Sequence, residues 1–122
     1  MKKILIALLL VSTQAFADEW RTADSYREGV FLGLHAWDYL QSRQIAKNPN
    51  PPGHAYYESN SLLGEHPSVA EVNRYFIISG LLQAGIAYKL PPPWREAFQY
   101  VSIGDKIISI RTNWFIGIHG KW

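Results

Sequence analysis

Hydrophobic and polar positions divide this chain into an apolar leader, three helical segments and one polar loop. Phe31, Leu34, Asp38, Gln41 and Ile45 recur at spacings of three and four. They predict a helix from about Thr22 to Lys47 with that stripe on one face. Val30, Leu34 and Trp37 widen the stripe. Ser25-Tyr26-Arg27-Glu28 has capping-box spacing, with Thr22 and Asp24 as alternative starts. Asn48-Pro49 and Pro51-Pro52-Gly53 end the helix.

A second helix is predicted from the capping box Ser68-Val69-Ala70-Glu71 to about Leu90, where Pro91-Pro92-Pro93 stops it. Phe76, Ile77, Gly80, Leu81, Ala84 and Tyr88 line one side; Ile78, Leu82 and Ile86 line the other. A helix apolar all round belongs at the centre of a bundle or in lipid. Its uncharged run from Tyr75 to Tyr88 is 14 residues, short of the roughly 20 that a span needs.

The third helix begins near Pro93. Tyr100, Ile103, Ile107, Ile110 and Trp114 form one face; Gln99, Ser102, Lys106, Ser109 and Asn113 form another, predicted to be wet. Beyond Asn113 the apolar positions alternate, as in a strand or a fraying helix end. Gly29 with Gly33, and Gly80 with Ala84, offer small residues for close helix approach.

The 20-residue connection at 48–67 mixes prolines with aromatic and ionisable groups. That mixture favours an ordered loop, and Tyr56, Tyr57, Glu58, Asn60 and His66 are its candidate contact residues.

Composition narrows the classes. A chain of 122 residues with no cysteine has room for one domain and excludes disulfide scaffolds, thiolate zinc sites and thiol nucleophiles. Residues 1–17, MKKILIALLLVSTQAFA, carry Lys2 and Lys3, an apolar run and Ala15-Phe16-Ala17. This is the pattern of a cleaved secretory signal, with a retained anchor as the alternative. Without Lys2 and Lys3 the 12 basic residues become 10, equal to the 10 acidic ones. A nucleic-acid partner is not expected of a formally neutral chain.

Asp38 lies on the apolar stripe beside Gln41. A carboxylate there needs a partner, because an isolated buried charge is costly. Arg74, Arg95, Lys106 and Arg111 are the cationic possibilities, with Asn73 and Gln99 as amide donors. Asp38, Gln41, Asn73 and Arg74 are taken as a polar cluster that positions the loop. His35 and Asp38 are three apart, which is workable ligand spacing. With Glu58, Glu65 or His66 folded over them, they would make a periplasmic metal-binding protein. Ser59, Ser61 and Ser68 lack nucleophile-elbow context, so no catalytic residue and no cofactor is assigned. Trp20, Tyr26, Trp37, Trp94, Tyr100 and Trp114 suit either a membrane interface or core packing.

One resemblance covers most of residues 18–122. Its residues are Trp37-Asp38 with Gln41, Ile45-Ala46, Tyr57-Glu58, Asn60, Leu63-Gly64 and His66-Pro67-Ser68. Val72-Asn73, Tyr75-Phe76, Leu90-Pro91, Trp94-Arg95, Gln99-Tyr100-Val101 and Ile103-Gly104 follow. Their order resembles that of small exported proteins of phage and prophage genomes. A related pattern, an Asp-containing helix followed by Glu-x-Asn-Pro, occurs in small helical membrane proteins; here Ser61 stands at the Pro position. The resemblance implies an envelope location and a helical fold, and supplies no reaction.

The sequence therefore predicts an all-α protein, a compact bundle of three main helices after a cleaved N-terminal signal helix. Residues 18–122 form one domain with an ordered loop at 48–67. The expected role is non-enzymatic contact at the envelope, with an envelope protein or membrane surface as partner, in a phage-encoded protein acting on its host. The expected location is the periplasm, in association with the inner membrane. A small integral inner-membrane protein is the alternative.

Overall fold

Three helices form where the periodicity places them: α1 Thr22–Lys47, α2 Val69–Lys89 and α3 Pro92–Phe115. The computed structural model describes residues 20–58 and 60–120. The predicted leader at 1–17 and Ser59 lie outside them. The described residues contain no strand, and the bundle is all-α as expected.

Helix ends follow local chemistry. α1 starts after Arg21, whose amide donates to Asp24 Oδ2 at 2.9 Å; Ser25 and Glu28 do not cap it, and Glu28 turns inward. α2 opens with the predicted box, the Glu71 amide lying 3.1 Å from Ser68 Oγ. Pro92 and Pro93 occupy the first positions of α3, where a missing N–H leaves no helical bond unmade.

Contacts between helices fix the topology. Asp24 meets Arg95, Asp38 meets Lys106 and Gln41 meets Asn113, so α1 and α3 run parallel. Glu28 meets Gln83, His35 meets Phe76 and Tyr39 meets Asn73, so α2 runs antiparallel to α1. α1 packs on both neighbours. α2 and α3 touch each other least, and a cleft between them is closed by loop residues Glu58 and Asn60.

The α1 stripe of Phe31, Asp38, Gln41 and Ile45 faces inward as expected, but other faces depart from expectation. In α3 the supposedly wet residues Gln99, Lys106 and Asn113 are buried; of the apolar face, Ile110 is buried and Ile103 half-buried, while Tyr100, Ile107 and Trp114 are exposed. In α1 Val30 and Trp37 lie outside rather than widening the inner stripe. In α2 the inward line is Val72, Phe76, Gly80, Gln83 and Ala87, and Ile77, Ile78, Leu81, Leu82 and Tyr88 are exposed, so α2 is not central. The physical reason is that periodicity separates two faces without saying which turns inward. Assigning the apolar face to the core presumes water outside.

The loop is ordered by its own backbone. The Tyr56 amide donates to Pro49 O at 2.6 Å and the Glu58 amide to Glu65 O at 2.8 Å. Among the described residues after Phe115 there is no strand. The chain turns at Gly117, whose φ of 98° suits glycine, and drops Ile118 into the bundle at 1% exposure. Gln41 Nε2 holds this tail by donating to Ile110 O at 3.2 Å and Ile118 O at 3.0 Å.

Candidate functional site

A column of polar side chains runs down the bundle interior. At the α2–α3 corner, Asp24 and Arg95 are each 0% exposed and lie 2.9 Å apart from Oδ2 to Nη1. Arg27 also bonds Asp24. Arg95 donates further to Ala87 O at 2.8 Å and Tyr88 O at 3.1 Å, so it caps the last carbonyls of α2. The Trp20 ring covers its guanidinium at 4.9 Å. Burial by itself raises the Asp24 carboxyl. The Arg21 amide and the Arg95 guanidinium outweigh it and hold the group below its ordinary value of 3.8.

One turn further in, Glu28 Oε1 accepts from Gln83 and Gln99, each at 3.2 Å. Beyond Phe31 lies His35, flanked by the Phe31 and Phe76 rings. His35 Nε2 donates to Phe76 O at 2.8 Å. The ring reaches that carbonyl because Gly80 has no side chain; a Cβ there would lie 3.2 Å from Nε2. Burial, foremost, lowers the His35 pKa below its ordinary 6.5; the Lys106 ammonium acts in the same direction, against the Phe76 carbonyl and Asp38.

Both groups are depressed on folding, so both add stability above their unfolded values and lose it as pH falls. Two separate acid steps are expected. The first starts below 6.5 as the unfolded chain protonates His35. The second starts below 3.8, when Asp24 is protonated. Thermal melts between pH 8 and 3 follow them, and His35→Gln removes the first step alone. A melting temperature flat from pH 7 to 5 would contradict this assignment.

Deeper still is the cleft between α2 and α3, about 310 Å³ in volume. On its floor, Lys106 Nζ lies 2.7 Å from Asp38 Oδ2. Tyr75 and Phe76 form one wall, Asp105 and Ser109 the other, and Glu58 and Asn60 close the end. Glu58 is buried, with Oε1 accepting from the Asn60 amide at 3.1 Å. Tight polar packing continues below, where Asn113 Nδ2 donates to Gln41 Oε1 at 3.2 Å.

The predicted residues divide between these places. Asp38 and Gln41 are buried and adjacent as expected, and Lys106 is the partner that Asp38 required. Asn73 and Arg74 do not join them. Asn73 accepts from Tyr39 Oη at 2.6 Å, and Arg74 is exposed beside a shallow groove with Glu71 and Leu62. The helical rotation from Asp38's partner face to these positions is the reason. Of the loop residues, Tyr57 and His66 are exposed, Tyr56 is half-buried, and Glu58 and Asn60 line the cleft. Ser61 lines the cleft and Ser68 caps α2.

The two helical side chains of the metal alternative are engaged elsewhere. His35 is committed to the Phe76 carbonyl and Asp38 to Lys106. Among the described residues no three His, Asp or Glu side chains converge as a metal site. Sequence reading missed the inward roles of Asp24 and Glu28, and offered Arg95 and Gln99 to Asp38 when they pair with Asp24 and Glu28 instead. A signal existed: Asp24 and Glu28 continue the Phe31–Asp38–Ile45 stripe backwards at the same spacing. No family model, curated protein or solved structure matches the chain, so the chemistry of the site rests on its own geometry.

Proposed function

We propose that this chain is a small, non-enzymatic protein of the cell envelope whose apolar exterior is covered by lipid. The observation that carries this reading is the inverted polarity of the bundle. Among the described residues buried polar side chains outnumber buried apolar ones, and Leu32, Ile77, Ile78, Leu81, Leu82, Val101 and Ile108 are all exposed. So many exposed large apolar side chains are unusual on a protein surrounded by water and normal on one surrounded by acyl chains.

The aromatic residues support the same reading. Trp94 and Trp114 are exposed near opposite ends of α3. Their separation of 20 positions is a rise of about 30 Å, matching a hydrocarbon layer of roughly 30 Å. Tyr26 and Tyr88 lie at the Trp94 end and Trp37 at the Trp114 end, as in interfacial belts. Between these ends the exposed face of α1 carries no charge from Thr22 to Trp37, and that of α2 none from Tyr75 to Tyr88. On α3, Asp105 is the exposed charge between Glu96 and Arg111, and it borders the cleft.

Among the described residues no helix is long and apolar enough to cross a membrane. α1 and α3 each have an ionisable inner side and an apolar outer side, with Asp24, Glu28, His35, Asp38, Arg95 and Lys106 turned inward. The unit that meets lipid is the bundle. The resemblance to exported phage and prophage proteins supports a host-envelope setting.

Fractionation of tagged full-length protein tests the reading. The protein is expected in the membrane fraction after a high-salt wash, and in solution only with detergent. Release by osmotic shock overturns the proposal. Leu81→Lys sharpens the test, because Leu81 is exposed and a lysine there removes no internal contact. It is expected to deplete the membrane-bound pool; a bundle surrounded by water would tolerate it.

A further inference from the structure

We propose that the cleft between α2 and α3 binds a primary ammonium group, held between the carboxylates of Glu58 and Asp105. The group can come from a small amine or from a lipid headgroup. Nothing in this inference requires the helices to lie in lipid.

The cleft already holds one ammonium and shows what holds it. Lys106 Nζ sits 2.7 Å from Asp38 Oδ2 and 5.1 Å from the centre of the Phe76 ring, a carboxylate on one side and an aromatic face on the other. The remaining acceptors exceed that one cation. Asp38, Glu58 and Asp105 all line the cleft against the single ammonium of Lys106, leaving it formally negative.

Glu58 is the observation that points to a ligand. It is 6% exposed, and no Lys or Arg pairs with it among the described residues. Its Oε1 takes the Asn60 amide, and its Oε2 is buried without a hydrogen-bond partner. Buried carboxylate oxygens are nearly always satisfied, and a charged donor satisfies one best. Across the cleft, Asp105 is exposed to the same space, and the Tyr75 ring continues the aromatic wall beside Phe76 at 5.2 Å. The Ser42 and Ser109 hydroxyls add neutral acceptors. The volume of about 310 Å³ is on the order of ten water molecules at roughly 30 Å³ each. It therefore suits an organic ammonium with a short chain better than a bare ion.

Titration calorimetry of the full-length protein with ethylammonium chloride tests this, with ethanol as the neutral counterpart. Saturable one-to-one binding of ethylammonium and none of ethanol is expected. Glu58→Gln is expected to weaken binding at least tenfold. Asp105→Asn, at an exposed position that does not endanger folding, is expected to weaken it severalfold, and Glu96→Gln at the far end leaves it unchanged. Binding to vesicles of phosphatidylethanolamine compared with phosphatidylcholine separates the sources. Preference for the former without response to ethylammonium assigns the lipid headgroup, and response to ethylammonium alone assigns a free amine. Saturation by neither probe overturns the proposal, as does binding that Asp105→Asn and folded Glu58→Gln both leave unchanged.

Discussion

Arg95→Ala is expected to be the most damaging single substitution in the bundle, lowering unfolding free energy by about 3 to 5 kcal/mol. Arg95 is fully buried and joins three elements at once. Its guanidinium pairs with the buried Asp24 of α1, bonds the Ala87 and Tyr88 carbonyls at the end of α2, and stacks under Trp20. Alanine leaves the Asp24 carboxylate with Arg27 and, at 3.7 Å, the more exposed Arg21 as its remaining cations. Most of the cost is a fully buried carboxylate less well neutralised than before, together with the Ala87 and Tyr88 carbonyls left without their donor. The double variant Asp24→Leu with Arg95→Met is therefore expected to recover most of the loss, because it removes the charge together with its partner. Denaturant midpoints of the two variants and of Arg74→Ala decide the matter. Arg74 is exposed, so its loss is expected to stay within about 0.5 kcal/mol. A midpoint for Arg95→Ala equal to that of Arg74→Ala would show that the corner is not held as described.

Asp38→Ala is the second large effect, at about 2 kcal/mol. It removes the 2.7 Å bond to Lys106 Nζ and leaves an ammonium facing the Phe76 ring. The expected loss is smaller than at Arg95 because the cleft has room for water near that ammonium. Asp38→Leu combined with Lys106→Met is expected to restore the midpoint, whereas Lys106→Met alone is expected to destabilise by a similar amount. A double variant no more stable than either single one would mean that the pair does more than neutralise itself.

Helix positions were legible in the sequence. The Ser68 box, the proline run at 91–93 and the stripe through Phe31, Asp38 and Ile45 act within a few residues, and each forms where the sequence places it. Part of the site was legible too. Asp38 on an apolar stripe demanded a partner, and Lys106 was among the cations that could supply one. Asn73 and Arg74 were attractive for the same chemistry, but they project from α2 toward Tyr39 and the outside. Sequence spacing within a helix fixes which residues share a face. It carries no information about how that helix is rotated against another.

What the chain by itself determined is local: three helices, their caps, an ordered proline-rich connection, and two chemically distinct faces on α3. Tertiary structure alone decided which face turns inward. Gln99, Lys106 and Asn113 go to the interior because Asp24, Glu28, Asp38 and Gln41 wait there at matching heights on a parallel helix. Polar groups that satisfy one another can be buried, and apolar ones can be left outside wherever the surroundings are not water.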